Sequence, residues 1–202
     1  PGTAVPRSRR APGRIESNMA NSAKDKGDRN ERAAVVYLLE TAPDLVSVSR
    51  PQRKLGAGRK EDTGDLHVFQ DAAIQVRALA NMGQAVRSAA DDSVVQAHHG
   101  DLEYALGLVP VPRARKEQVT WLASTTVDRW PEPVVPVAEF ALISKALTWV
   151  RDDKGPHGFR VWPREERIGL LGGPGTTVLI APVEAWLAAF RRARSQPLRS
   201  AA

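Results

Sequence analysis

The stretch that most constrains this chain is Glu61 to Arg77, EDTGDLHVFQDAAIQVR. A Gly-Asp-Leu turn at Gly64–Leu66 leads into His67-Val68-Phe69. A polar break at Gln70-Asp71 follows, then a second short apolar run, Ala72–Val76. Apolar runs this short, bounded by turn residues, predict strands rather than helices, and their close spacing predicts a β-hairpin. Asp65 then stands near the start of one strand, with Gln75 and Arg77 on the next. Successive strand residues point to opposite sides, so Ile74 and Val76 are expected on one face and Gln75 and Arg77 on the other.

The chain's 202 residues leave room for one domain with an added subdomain. Hydrophobic residues make up 42%, enough to build a core and to argue against wholesale disorder. No apolar run approaches the roughly 20 residues that span a bilayer, so no membrane helix is expected. The absence of cysteine removes disulfides, thiolate zinc sites and cysteine nucleophiles together. No secretion signal is read at the N-terminus, which makes a cytoplasmic location the expectation (the host's cytoplasm for a phage product). The formal net charge of +6 favours polyanionic partners, nucleic acid first.

Taken in order, residues 1–23 form an arginine-rich, proline-containing arm expected to be disordered, and Met19 has the look of a natural start. Asp28 with Glu31 has capping-box spacing, which predicts a first helix from Asp28 to about Glu40 with Val35, Leu38 and Leu39 inward. Val46–Ser49 reads as a strand. Arg50–Lys60 is a basic loop with Gly56 and Gly58, a composition that suits a phosphate backbone. A helix is expected over Gln84–His98, with Val86, Ala90, Val94 and Ala97 inward and the adjacent His98 and His99 as dipole-complementing end residues. Strands at Tyr104–Val111 and Val119–Thr125 flank a basic turn holding Arg113, Arg115 and Lys116.

Arg129–Pro136 reads as a linker. Val137 to Arg151 reads as one amphipathic helix, Phe159–Trp162 and Arg167–Leu171 as short strands, and Gly172–Gly175 as a plain turn. Val178–Ala181 is expected as a strand. A closing helix with Pro182 at its first position should bury Val183, Trp186, Leu187 and Phe190. The organisation expected is therefore a core over 24–130, an added helix-and-hairpin section over 131–177, a closing strand and helix over 178–194, and a loose tail from 195.

The order of these elements, with Lys26-Gly27 and Glu31-Arg32, Gly64-Asp65-Leu66 and Ile74-Gln75-Val76-Arg77, resembles the PD-(D/E)XK nuclease superfamily. Within it, the chain resembles the Holliday junction resolvase-like proteins of actinobacterial phages. The resemblance covers roughly Lys24 to Thr126 and the final strand and helix. It implies an α/β (α+β) fold of the restriction-endonuclease kind, a central mixed sheet flanked by helices with a C-terminal addition. It also implies Mg²⁺ or Mn²⁺ as cofactor, DNA (branched DNA included) as partner, and a homodimer.

In that family a helical Glu, an Asp after glycine and the Glu of Glu-x-Lys hold the metal, while the Lys assists the attacking water. Glu31 and Asp65 match the ligand positions. Gln75 stands in place of the glutamate and Arg77 in place of the lysine. Gln75 keeps an oxygen but no charge, and Arg77 binds phosphate but stays protonated, so it is no general base. Glu61, Asp62 and Asp71 are the carboxylates open to substitute for the missing one.

Three readings follow. The chain is a metal-dependent DNA endonuclease using Glu31, Asp65, Gln75 and Arg77. Or it is a catalytically inactive relative binding DNA through Arg50, Arg53, Lys54, Arg59, Lys60, Arg113, Arg115 and Lys116. Or it is a phage structural or protein-interaction module whose basic surface is incidental.

Overall fold

The computed structural model describes residues 13–53, 64–111, 120–151, 163–173 and 176–195, with side chains from residue 25 onward and that of Arg53 excepted. Its elements are α1 (Gly13–Thr41), β1 (Gln52–Arg53), β2 (Leu66–His67), β3 (Ala72–Val76), α2 (Met82–His99), β4 (Tyr104–Val111) and β5 (Thr120–Thr126). After these come β6 (Ala138–Phe140), α3 (Ile143–Arg151), β7 (Gly169–Leu171), β8 (Val178–Pro182) and α4 (Val183–Ser195). Among the described residues the strands form one mixed sheet, in the order β1-β2-β3-β4-β5-β8-β7-β6. The α/β class and the mixed sheet flanked by helices are as the sequence led one to expect.

Helices cover both faces. α1 and α4 bury Ala34, Leu38, Trp186, Leu187 and Phe190 against one side of the sheet. α2 and α3 bury Val86, Ala89, Ala90, Leu147 and Val150 against the other. The even residues of β3, Ala72, Ile74 and Val76, belong to the first core, while Ala73 packs with Ala97 of α2. Strands with cover on both faces lose the polar side of their alternation, and all five residues of β3 are buried. An aromatic group ties α4 to the hairpin and β4: Phe190 lies 5.2 Å from Phe69, 4.8 Å from Trp186 and 5.0 Å from Tyr104 between ring centroids.

β1, β2 and β3 are successive antiparallel neighbours, and α2 carries the chain to β4, which runs parallel to β3. β4 and β5 are antiparallel, with Val111 opposite Thr120. The registers put the C-terminal ends of β1, β3 and β4 at one end of the sheet, together with the starts of β2 and β5. Segments 54–63 and 112–119 are therefore both bracketed at that same end.

Several expectations are corrected. The first helix begins at Gly13, so Asp28 lies inside it and is no N-cap; it makes an i,i+4 pair with Arg32 at 3.9 Å. Between Gly13 and Thr41 there is no proline, and Gly27 is a tolerated interior glycine at a cost of about 1 kcal/mol. Residues 13–23, expected within a disordered arm, are helical in backbone; residues 1–12 lie outside the described residues, as do 196–202 of the tail.

Val46–Ser49 is not a strand. It follows a 3₁₀ turn at Pro43–Leu45 and is tied to the hairpin, where the Gln70 N–H donates to Ser47 Oγ at 2.7 Å. The expected helix from Val137 splits. Ala138–Phe140 pairs in parallel with Gly169–Leu171, and only Ile143–Arg151 is helical. Pro182 closes β8, and α4 starts at Val183 rather than with the proline inside it. The strand expected at Phe159–Trp162 lies outside the described residues.

Candidate functional site

Asp65 is set by its neighbour. Gly64 has φ +104°, and a Cβ there would come within 2.9 Å of the Ile74 carbonyl oxygen. Only glycine takes this conformation against a neighbouring backbone at little cost. The Asp65 N–H then donates to the same Ile74 oxygen at 2.8 Å, which fixes the residue at the start of β2.

The Asp65 carboxylate is met by three groups from β3 and its end. Its Oδ2 accepts from Gln75 Nε2 at 2.8 Å, from the Val76 N–H at 2.9 Å and from an Arg77 guanidinium nitrogen at 3.4 Å. Arg77 also donates through Nε to Asp92 Oδ2 at 2.7 Å, and through Nη1 to the Val76 carbonyl at 3.2 Å. The guanidinium thus bridges the carboxylate of β2 and that of α2. Gln75 is 3% exposed, so its amide needs an internal partner, and the Asp65 carboxylate supplies one. Arg77 and Asp92 keep about a third or more of their side chains in solvent, which damps their attraction.

Three of the four residues singled out for chemistry, Asp65, Gln75 and Arg77, therefore meet at one end of the sheet. Glu31 is half-buried on α1, in register with Ala34 and Leu38 at i+3 and i+7. α1 covers the face of the even β3 residues, whereas Arg77 reaches α2 on the opposite face. Asp71 sits in the hairpin turn at the far end of β3, with its Oδ2 3.4 Å from Arg194 Nε, and is no substitute ligand. Glu61 and Asp62 lie outside the described residues.

Asp92 was missed by sequence reasoning. Its only signal was an Asp91-Asp92 pair in an otherwise small and apolar helical stretch, at a position that meets Arg77 only once α2 is docked.

The implied Mg²⁺ or Mn²⁺ fits these donors poorly. A hard divalent ion wants carboxylate and other oxygen ligands. Here Asp65 is occupied by three donors, and Gln75 presents its NH₂ rather than its oxygen. Turning the amide over would set two acceptor oxygens 2.8 Å apart, so the carboxylate itself dictates the orientation. Among the described residues no three His, Cys, Asp or Glu side chains are grouped as a metal would require.

Of the cations expected to meet DNA, Arg50 is exposed just before β1. The side chain of Arg53, and Lys54, Arg59, Lys60, Arg113, Arg115 and Lys116, lie outside the described residues. Their brackets, Arg53 with Gly64 and Val111 with Thr120, are at the Asp65–Arg77 end of the sheet. The arginines of α4 are differently placed and largely engaged. Arg191 pairs with Asp44 at 2.7 Å, Arg192 Nε with Glu132 at 3.0 Å, and an Arg194 guanidinium nitrogen donates to the Leu45 carbonyl at 3.2 Å. The Arg191 guanidinium holds the Asp44 carboxyl below its ordinary value.

No protein-family model, curated protein or solved structure matches this chain. Among the described residues no helix is long and apolar enough to cross a membrane.

Proposed function

We propose that this chain binds DNA on a nuclease-like scaffold without cutting it. One observation carries the reading: the sheet topology brackets both basic segments, 54–63 and 112–119, at the end where Asp65, Gln75 and Arg77 meet. The sequence of these two segments holds six cations, Lys54, Arg59, Lys60, Arg113, Arg115 and Lys116, a composition suited to a polyanionic backbone. The order α1, a three-stranded antiparallel unit, a crossover helix and a parallel strand agrees with the PD-(D/E)XK likeness of the sequence. Asp65 tied to Gln75 and Arg77 favours the inactive form of that family over a resolvase-like endonuclease.

The test is to incubate the full chain with labelled four-way junction, duplex and single-stranded DNA, with Mg²⁺ or Mn²⁺, beside Asp65→Ala. Retarded, uncut DNA is expected, with affinity falling steeply as salt rises. Metal-dependent cutting that disappears in Asp65→Ala would establish the endonuclease reading instead. A chain that retards none of the three belongs with the protein-interaction module.

A further inference from the structure

We propose that Arg77 is the resident cation of this site, its guanidinium standing between Asp65 and Asp92 where a divalent ion would have to bind. The inference deepens the non-catalytic reading above and assigns Asp92 a role that the sequence pattern did not. Three features of the geometry carry it.

The guanidinium contacts both carboxylates, Asp92 at 2.7 Å and Asp65 at 3.4 Å, and so offsets one of their two negative charges. Gln75, buried beside it, donates to Asp65, adding hydrogen where a metal needs a lone pair. The Val76 N–H donates to the same Asp65 oxygen, which leaves Oδ2 saturated by protein. A divalent ion entering here would have to displace three donors and sit against a fixed positive charge. Arginine cannot relieve that repulsion by losing its proton, as a lysine in the same place can.

The arrangement does mechanical work instead. Asp65 immediately precedes β2, Arg77 immediately follows β3 and Asp92 lies on α2, so the bridge fastens the chain entering β2 to the crossover helix. A metal ion between the same carboxylates would join the same elements. The guanidinium does so without being free to leave.

The experiment is a Mn²⁺ titration of the full chain, following free Mn²⁺ by electron paramagnetic resonance. The chain is compared with Asp65→Asn, with Gln75→Glu/Arg77→Met, and with that double variant carrying Asp65→Asn. Wild type is expected to show no saturable uptake, and Asp65→Asn to leave its titration unchanged. The double variant, which removes the guanidinium and introduces a carboxylate, is expected to take up Mn²⁺ saturably, at least about tenfold more tightly than the weakest binding the titration detects, since a unit charge a few ångströms away acts on a divalent ion. That uptake should vanish with Asp65→Asn.

Saturable wild-type uptake that Asp65→Asn abolishes would overturn the proposal. So would a double variant with wild-type circular dichroism and no gain. If the double variant does not fold, the wild-type and Asp65→Asn titrations still decide. DNA retardation of the same samples is read separately, so a chain that binds neither DNA nor Mn²⁺ would sink the DNA reading and leave this one standing.

Discussion

Two residues carry predictions that depend on single atoms. Gly64 is the hinge on which Asp65 turns, and its positive φ and its approach to Ile74 both exclude a side chain. Gly64→Ala should lower stability by about 1–3 kcal/mol, read as a fall in urea midpoint. An unchanged midpoint would mean that the turn has another conformation. Tyr37 on α1 donates to Glu184 at 3.2 Å. Burial first, then the Glu184 charge, push its pKa up from 10.0 to about 12. Below pH 10 the folded and unfolded chains both keep the phenol proton. Between pH 10 and about 12 the unfolded chain gives it up first, so stability contributed by the neutral phenol is lost as pH rises. Tyr37→Phe should flatten the loss over that window in chemical denaturation at fixed pH values; parallel curves for the two proteins would refute the assignment. The sequence made Gly64-Asp65 legible because a glycine next to a polar turn residue has few uses. It left Asp92 and Glu184 illegible, because their partners are distant in the chain and come together only on packing.

Among whole elements, those with buried apolar runs were read closely and those whose fate depends on a partner were not. Tyr104–Val111 forms β4 as read, since a run so apolar and β-prone has only a covered central position to occupy. Val183, Trp186, Leu187 and Phe190 face inward on α4 for the same reason. Ala138–Phe140 was read as helix because its apolar residues continue the stripe of Leu147 and Val150. Its strand state comes from β7, which follows α3 in sequence and was not visible as a pairing partner. Capping signals misled at Asp28, where α1 runs through Gly27 and Asp28 with Ala23, Lys24 and Lys26 before them and Glu31 to Ala34 after them. α2 lies close against β4 at Gly107. A Cβ on Gly107 would fall 2.5 Å from the Ala89 carbonyl carbon. Gly107→Ala must push α2 off the sheet and should cost roughly 1–3 kcal/mol or more. Thermal unfolding of that variant, beside Ala89→Gly/Gly107→Ala, tests it. Because the clash is mainly with Ala89 backbone, deleting the Ala89 methyl should recover only a small part of the loss, and full recovery would contradict the close backbone packing.

For the whole molecule, the question is whether its charge acts as a diffuse property or as a footprint. Formal charge is +6, and the six cations of Lys54, Arg59, Lys60, Arg113, Arg115 and Lys116 equal that excess. If binding were a matter of net charge alone, any cations removed would weaken it alike. The topology argues for a footprint, because segments 54–63 and 112–119 are separated by β2, β3, α2 and β4 in sequence and yet are bracketed at one end of the sheet. Each neutralised phosphate contributes about 0.9 to the slope of log affinity against log salt. Replacing Lys54, Arg59 and Lys60 by Gln should therefore reduce that slope by up to about 2.7, and replacing Arg113, Arg115 and Lys116 should do the same. Lys145→Gln is the control. Lys145 is exposed near the start of α3, which follows β6 at the opposite end of the sheet, and its loss should leave the slope unchanged. Equal reductions from the two triple variants, measured by fluorescence anisotropy on duplex DNA, would locate the footprint at the Asp65–Arg77 end. A reduction from one triple alone would confine DNA to one segment, and a slope that responds to Lys145 as strongly per charge would return the chain to the diffuse case.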